Sequence, residues 1–196
     1  MDLVHIDDDV IVVNKPAGLL SVPGRSEPDC AAARVQALYP EALTVHRLDM
    51  ATSGLLLFAR GAEAQRALSA DFAERRVKKR YIALVSGQLD APEWLSIELP
   101  LAADWPRRPM QKVDHAVGKP SLTRYRSLSR EAACTRLELE PVTGRSHQLR
   151  VHLQAIGHRI LGDMLYGGEP AQRLMLHACR LELPERGLHL ESPPDF

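Results

Sequence analysis

The chain has few cysteines, no long apolar run and no net charge, and each scarcity removes a class of protein. Cys30, Cys134 and Cys179 are odd in number, widely spaced and in no CxxC pattern. That argues against a disulfide framework or a structural zinc site and predicts buried thiols. No apolar stretch approaches the roughly 20 residues of a membrane-spanning helix. The acidic start MDLVHIDDD is unlike a secretory leader, so a cytoplasmic protein with no membrane partner is expected. No internal repeat or low-complexity segment is present.

What the sequence does have is a core and an uneven charge. Its 196 residues, 45% of them hydrophobic, suffice for one domain with a substantial interior. Zero net charge argues at first against a nucleic-acid partner, but the total conceals a gradient. Residues 1–42 carry three basic and seven acidic side chains, residues 43–80 eight and four, residues 81–130 seven and five, and residues 131–196 seven and nine. Local basic surface, not total charge, is the footprint of nucleic-acid binding, and here the excess lies mid-chain.

That excess begins at VHRLDMATSGLLLFAR, residues 45–60. In extended backbone Arg47 and Asp49 share a face and Leu48 points away. Thr52, Ser53 and Gly54 read as a turn, and residues 55–59 as a fully buried strand. A carboxylate at the lip of a core strand is expensive unless paired or used. Taken alone, an Asp near Thr, Ser and Gly reads as a turn residue capping local amides.

Residues 3–6 and 10–14 are apolar runs split by three aspartates, which signals a hairpin, and NKPAGLLSVPG (14–24) reads as a structured loop. Residues 29–38 predict a short helix. Residues 62–76, with Ala64, Leu68 and Phe72 four apart, predict the clearest one. It runs into RRVKKRYIALVSG, where Arg75, Arg76, Lys78, Lys79 and Arg80 precede a strand at 81–85. Such a run is a solvated face or a phosphate surface, and Tyr81 on sequence alone could be a core aromatic with its hydroxyl at the surface. After a strand within 92–100, LPLAADWPRRPMQKV (99–113) reads as an irregular basic loop. There Trp105, beside Arg107 and Arg108, either meets bases and phosphates or anchors the loop. Strands at 121–129 and 133–140 follow, the second alternating Leu137 and Leu139 with Arg136, Glu138 and Glu140, so that one face is buried.

PVTGRSHQLRVHLQAIG (141–157) predicts a helix with Ser146 as N-cap, Gly157 at its end, and an apolar stripe of Leu149, Leu153 and Ile156. Arg150 borders that stripe and must snorkel or find a buried carboxylate. His147 and His152, five apart, diverge by about 140° on a helix, which argues against a zinc helix. Strands at 174–183 and 188–192 close the chain. Element order alone gives an α+β fold, mainly antiparallel.

Four of these segments, in this order, resemble the motifs of the RluA family of pseudouridine synthases: HRLD followed by TSG, K-x-Y-x-A at 79–83, GRSHQLR, and ILGD-x-x-YG at 160–167. NKP-x-G-L near the start and PPDF at the end are similar to further family segments, and Ser146 stands where the family has threonine. The likeness covers nearly the whole chain and is greatest to the dual-specificity tRNA and rRNA subgroup. It implies the pseudouridine synthase fold, a mixed, mainly antiparallel sheet with a central active-site cleft and flanking helices, as a single catalytic domain over 1–196 with no accessory N-terminal RNA-binding domain. It further implies Asp49 as the catalytic aspartate, Tyr81 stacked on the target base, Arg150 paired with Asp49, and Arg47 filling the space a flipped base vacates. His46, Arg145 and His147 flank these residues and join the basic run, Trp105, Arg107 and Arg108 as candidate RNA contacts. No metal or organic cofactor is implied, and the partner is a tRNA or 23S rRNA stem-loop met by a monomer. An RNA-binding module without activity would leave Asp49, Tyr81 and Arg150 no reason to occur together. A hydrolase would need a second carboxylate or a triad, and neither appears.

Overall fold

The computed structural model describes residues 1–131 and 133–196. In chain order the elements begin with β1 (Asp2–Ile6), β2 (Val10–Lys15), α1 (Ala31–Gln36), β3 (Ala42–Thr44), β4 (Ser53–Arg60) and α2 (Gly61–Ala73). There follow β5 (Lys78–Ser86), β6 (Leu95–Glu98), β7 (Leu101–Ala103), β8 (Gln111–Val113), β9 (Leu122–Arg130) and β10 (Cys134–Pro141). The last are α3 (Gln148–Ala155), β11 (Leu176–Leu183) and β12 (Leu188–Glu191). Few helices and mostly antiparallel strands bear out the expected α+β class. The chain divides into two compact units, residues 1–79 with 177–195, and residues 80–176 with Phe196.

In the first unit the strands run β1-β2-β4-β11, with β3 also on β4 and β12 also on β11. The predicted opening hairpin is present. Asp7 closes it by accepting the backbone N–H groups of Asp9 (2.8 Å) and Val10 (2.7 Å) on Oδ1, which is how a short carboxylate mimics a turn. β4 is buried from Ser53 to Ala59, so both faces are covered. On one of them Leu55 and Leu57 pack with Val10, Val12, Leu181 and Leu183 against Ala64 and Leu68 of α2, the helical spacing seen in the sequence. Each fully buried leucine contributes about 2 kcal/mol. Ser53 and Gly54 are not in a turn, contrary to expectation; the turn falls at Met50 and Ala51, and β4 already includes both residues. Gly54 is needed for close approach rather than for turning: it pairs with Ala178 of β11, and a Cβ there would lie 2.3 Å from the Ala178 carbonyl oxygen.

In the second unit β5-β10-β9-β6 form an antiparallel sheet. Leu137 and Leu139 of β10 face inward, while on the other face Arg126 Nε donates to Glu138 (2.8 Å). Residues 99–113 are not irregular: β7 and β8 pair as a short hairpin, Leu101 opposite Val113. α3 also starts differently from expectation. Ser146 is exposed, and the N-cap position belongs to His147, in left-handed backbone with no side-chain cap. Gln148 holds this end instead. Its Oε1 accepts from Arg145 N (3.0 Å) and Thr143 Oγ1 (2.7 Å), and its Nε2 donates to Leu122 O (2.9 Å) and Thr123 Oγ1 (3.0 Å). The other end is as expected: Gly157 takes positive φ, with Gly157 N to Gln154 O and His158 N to Leu153 O, a Schellman motif. The expected narrow stripe is too narrow, because residues 148–153 are all buried and Ile156 only partly so; polar members go inside where they find partners. Of the three free thiols only Cys30 is buried; Cys134 and Cys179 are partly exposed, which corrects the expectation of three buried thiols.

Gly54→Ala is expected to destabilise the protein by at least about 2 kcal/mol, since it combines a backbone clash with a φ of +115°. A urea midpoint within error of wild type would contradict the close-approach reading.

Candidate active site and nucleic-acid surface

In the first unit the segment 47–52 is irregular and is held from behind by the loop that follows β2. Leu48 is buried. Its N–H donates to Ser21 Oγ (3.0 Å), and that hydroxyl donates to Leu48 O (2.7 Å). Met50 O accepts from Gly18 N (2.8 Å) and from Lys15 Nζ (3.1 Å). Lys15 is 0% exposed, and its ammonium also donates to Leu19 O (2.7 Å) and Pro16 O (2.9 Å). Burial pulls its pKa down to about 8, and the negative charge of Asp49 works the other way. Asp49 sits half-buried with its carbonyl accepting from Thr52 N (3.1 Å), between exposed Arg47 and exposed Met50. The segment therefore presents a carboxylate and a guanidinium on a backbone fixed by Lys15, Gly18 and Ser21. Chemically, a carboxylate so placed can act as a base or a nucleophile.

His46 is partly buried, with its ring turned inward. Its Nε2 accepts from Leu57 N (3.0 Å), and its ring stacks on Phe72 with centroids 4.6 Å apart. Burial first, and the Lys79 charge second, push its pKa down to about 3. Lys79 itself lies 5.7 Å from the Phe72 ring centre, and burial lowers its pKa too. The basic run is thus heterogeneous. Arg76 is committed to Asp71 (2.6 Å), Glu74 and Glu185 (3.2 Å). Arg75 and Lys78 are exposed.

In the second unit Arg80 pairs with Glu140 and lies 4.4 Å over the Trp94 ring. Tyr81 follows on β5, opposite Leu139 and half-buried. Arg150 is 4% exposed and forks Asp163, itself 1% exposed, through Nε (2.8 Å) and Nη2 (2.6 Å). This is the buried carboxylate its position demanded. The Tyr166 ring lies 5.0 Å from the guanidinium carbon, and the Tyr166 hydroxyl meets His147 Nδ1 (2.7 Å). His152 is fully buried with Nδ1 at Thr123 Oγ1 (2.9 Å) and Nε2 at Leu99 O (3.0 Å). At the β7–β8 tip Trp105 is 67% exposed, with Arg108 stacked 3.7 Å from its ring centre and Arg107 on Asp104 (2.6 Å). Trp105 therefore does not serve as a hydrophobic anchor for the loop. Arg145 is exposed at the entry to α3.

The structure joins Lys15, Gly18 and Ser21 to the Asp49 segment in one unit, and Arg150, Asp163, Tyr166 and His147 to one another in the other. Sequence reasoning missed Lys15, Ser21, Gln148 and the role of Asp163. The only signal for the first two was the NKP-x-G-L loop, and for the last the ILGD turn.

Comparison with known proteins gives one answer. The family model described as RNA pseudouridylate synthase matches residues 9–155. The chain is 48% identical over 205 residues to the dual-specificity RNA pseudouridine synthase RluA of Escherichia coli K12, covering 99% of this chain and 93% of that protein. It is 48% identical over 207 residues to the protein of the same name from Yersinia pestis, with all of each covered. The solved structure of human RNA pseudouridylate synthase domain containing 1 superposes with a TM-score of 0.83 at 30% identity, covering 99% of this chain and 83% of that one.

The depressed His46 pKa sets a pH dependence. Above about 6.5 the ring is neutral folded or unfolded and contributes no slope. Below that the unfolded chain takes up a proton that the folded chain refuses until about 3, so stability falls as pH drops through this window, approaching about 1.4 kcal/mol per pH unit. His46→Gln, which keeps an acceptor for Leu57 N, is expected to flatten that slope in urea titrations between pH 7 and 4. An unchanged slope would sink the assignment.

Proposed function

Since the chain belongs to the RNA pseudouridylate synthase family, we propose that it isomerises uridine in the loops of structured RNA, with a tRNA anticodon-loop uridine and a 23S rRNA hairpin uridine as its substrates. The observation that carries this reading is the near full-length identity to dual-specificity enzymes; the backbone clamp on the Asp49 segment supports it. In the reaction the bond from uracil N1 to the sugar breaks, the base rotates, and a bond from uracil C5 to the sugar replaces it. N1 gains a proton and C5 releases one. A uridine within a stack must first be flipped out.

Roles follow residue by residue. Asp49 acts on the sugar as nucleophile or base. Tyr81 stacks on the uracil, Arg47 fills the vacated space, and the guanidinium that the family resemblance assigns to the aspartate is Arg150, since a nearby cation keeps a partly buried carboxylate ionised. Trp105 with Arg107, Arg108, Arg145, Arg75 and Lys78 supplies exposed stacking and phosphate contacts. Arg76, Lys79, Arg80, His46 and His147 are the remaining candidate contacts, each partly or fully engaged within its own unit. The enzyme works as a monomer in the cytoplasm, and recognition rests on one catalytic domain reading a loop's backbone path and a few splayed bases.

The test is tritium release from an isolated anticodon stem-loop labelled at uracil C5. Wild type is expected to release label without cutting RNA or freeing uracil. Inert stem-loop with modified intact ribosomal RNA would point to a ribosome-only synthase. Asp49→Asn, equal in size and lacking the charge, is expected to reduce release by at least about 10³-fold while stem-loop affinity stays within about threefold. Release within tenfold of wild type would remove Asp49 from the chemistry. Affinity is also expected to fall steeply with salt despite zero net charge, and Arg108→Ala to reduce the log–log slope by about 1. A flat wild-type plot would take the basic tip and run out of the interface.

A further inference from the structure

Tyr166 is 2% exposed, and its polar atoms and ring reach β8, the first turns of α3 and its own loop, all in the second unit. Its hydroxyl accepts from Gln111 N (2.8 Å), the first residue of β8. The same oxygen is bonded to His147 Nδ1 (2.7 Å) at the start of α3, with the two rings edge to face. Its ring lies against the Arg150 guanidinium, and its N–H donates to Asp163 Oδ1 (3.3 Å), the carboxylate that forks Arg150. Apolar contacts to Leu101 and Val151, with Met110 and Val113 alongside, fill the remaining surface.

The β7–β8 tip is stiff within itself. Asp104 N bonds Met110 O (2.9 Å), Met110 N bonds Arg107 O (2.9 Å), and Asp104 holds Arg107. A stiff tip is aimed by whatever grips its base, and Gln111 lies one residue beyond Met110. The phenol oxygen is therefore a polar link between the base of an exposed Trp105–Arg108 tip, at Gln111, and the helix that carries Arg150. A core tyrosine chosen for bulk alone would not need its oxygen shared between a strand amide and an imidazole, and a phenylalanine would fill the same apolar space.

We propose that Tyr166 is a positioning residue that couples the Trp105–Arg108 tip to the Arg150 and Asp163 pair, so that RNA held by the tip and the guanidinium are kept in one register. This rests on the reading of the tip as an RNA contact. The hydroxyl carries the coupling to the tip, and the ring supports Arg150.

The test uses the full chain and a fluorescein-labelled anticodon stem-loop, measuring Kd and, separately, kcat and KM. Tyr166→Phe is expected to weaken Kd and raise KM about tenfold with kcat within twofold. Trp105→Ala is expected to weaken Kd on its own, and the double variant to be no weaker than Trp105→Ala, because both act through one element. A merely structural tyrosine would lower the melting temperature and leave Kd and KM unchanged at assay temperature, which would overturn the proposal. Additive losses in the double variant would overturn it too. Hydrogen exchange on the wild-type protein gives a second measurement that needs no variant: adding stem-loop should slow exchange in residues 101–113 and 162–168 together. Protection of only one segment counts against the coupling. Unchanged Kd in Trp105→Ala would remove both the RNA role of the tip and the proposal. Because Kd is read independently of turnover, failure of isomerisation alone is distinguishable from failure of the coupling.

Discussion

A lysine ammonium removed from water governs how Asp49 is presented. Lys15 gives its donors to three carbonyls, those of Pro16, Leu19 and Met50, and its charge is desolvated enough to bring its pKa down to about 8. A buried cation with no carboxylate fork is an expensive object. Carbonyl dipoles and the field of Asp49 offset that cost only while the loop after β2 and the segment around Met50 keep their present course. The ammonium therefore acts as a template for two stretches of irregular backbone 35 residues apart. Ser21 repeats the arrangement at Leu48 with an uncharged group. The result is an irregular segment that needs no regular secondary structure to hold a half-buried carboxylate at a fixed place.

Where the chain obeys a period, the sequence was readable. The first hairpin, α2 and the alternation of β10 follow from spacing, because the partner surface only has to be apolar. Misreadings cluster where a residue serves a distant partner. Gly54 looks like a turn glycine next to Thr and Ser, and it is a strand residue pressed on Ala178. Ser146 has the chemistry of an N-cap, and the work falls to Gln148, whose partners at 122 and 123 are invisible to local pattern. Lys15 carries no local signal of burial, and it is the last residue of β2 with its ammonium turned onto carbonyls of the following loop and of Met50. Asp163 in a Gly-rich turn reads as a turn former and is also the counter-ion of Arg150. Motif resemblance singled out Asp49, Tyr81 and Arg150, while the groups that hold the Asp49 segment and Arg150 became visible only with the contacts.

The charge pattern has the same character. Counting residues marks 75–80 as basic at every position but Val77, yet the fold sorts that run into distinct environments. Arg76 and Arg80 are neutralised by neighbouring carboxylates, Lys79 is partly withdrawn against Phe72, and Arg75 and Lys78 face water. The Arg124–Glu140 and Arg126–Glu138 pairs between β9 and β10 are partly exposed on their arginine side; they cancel field locally and leave the exposed Arg75 and Lys78 to stand out. A neutral protein acquires a patterned surface in this way.

The Arg150 and Asp163 pair carries a consequence for how this sequence can change over time. Each charge lies in an almost water-free setting, and the two-pronged contact with the other offsets part of the cost of keeping it there. Removing one member takes two charge-assisted hydrogen bonds from a buried partner, at a penalty of up to roughly 3–5 kcal/mol, while exchanging both for apolar groups of matching volume can be neutral for stability. If Arg150 is held in place by its role, Asp163 loses its freedom to drift. The two positions then form a single heritable unit, and single-step routes through sequence space that alter either one are closed by folding before selection on activity is ever reached.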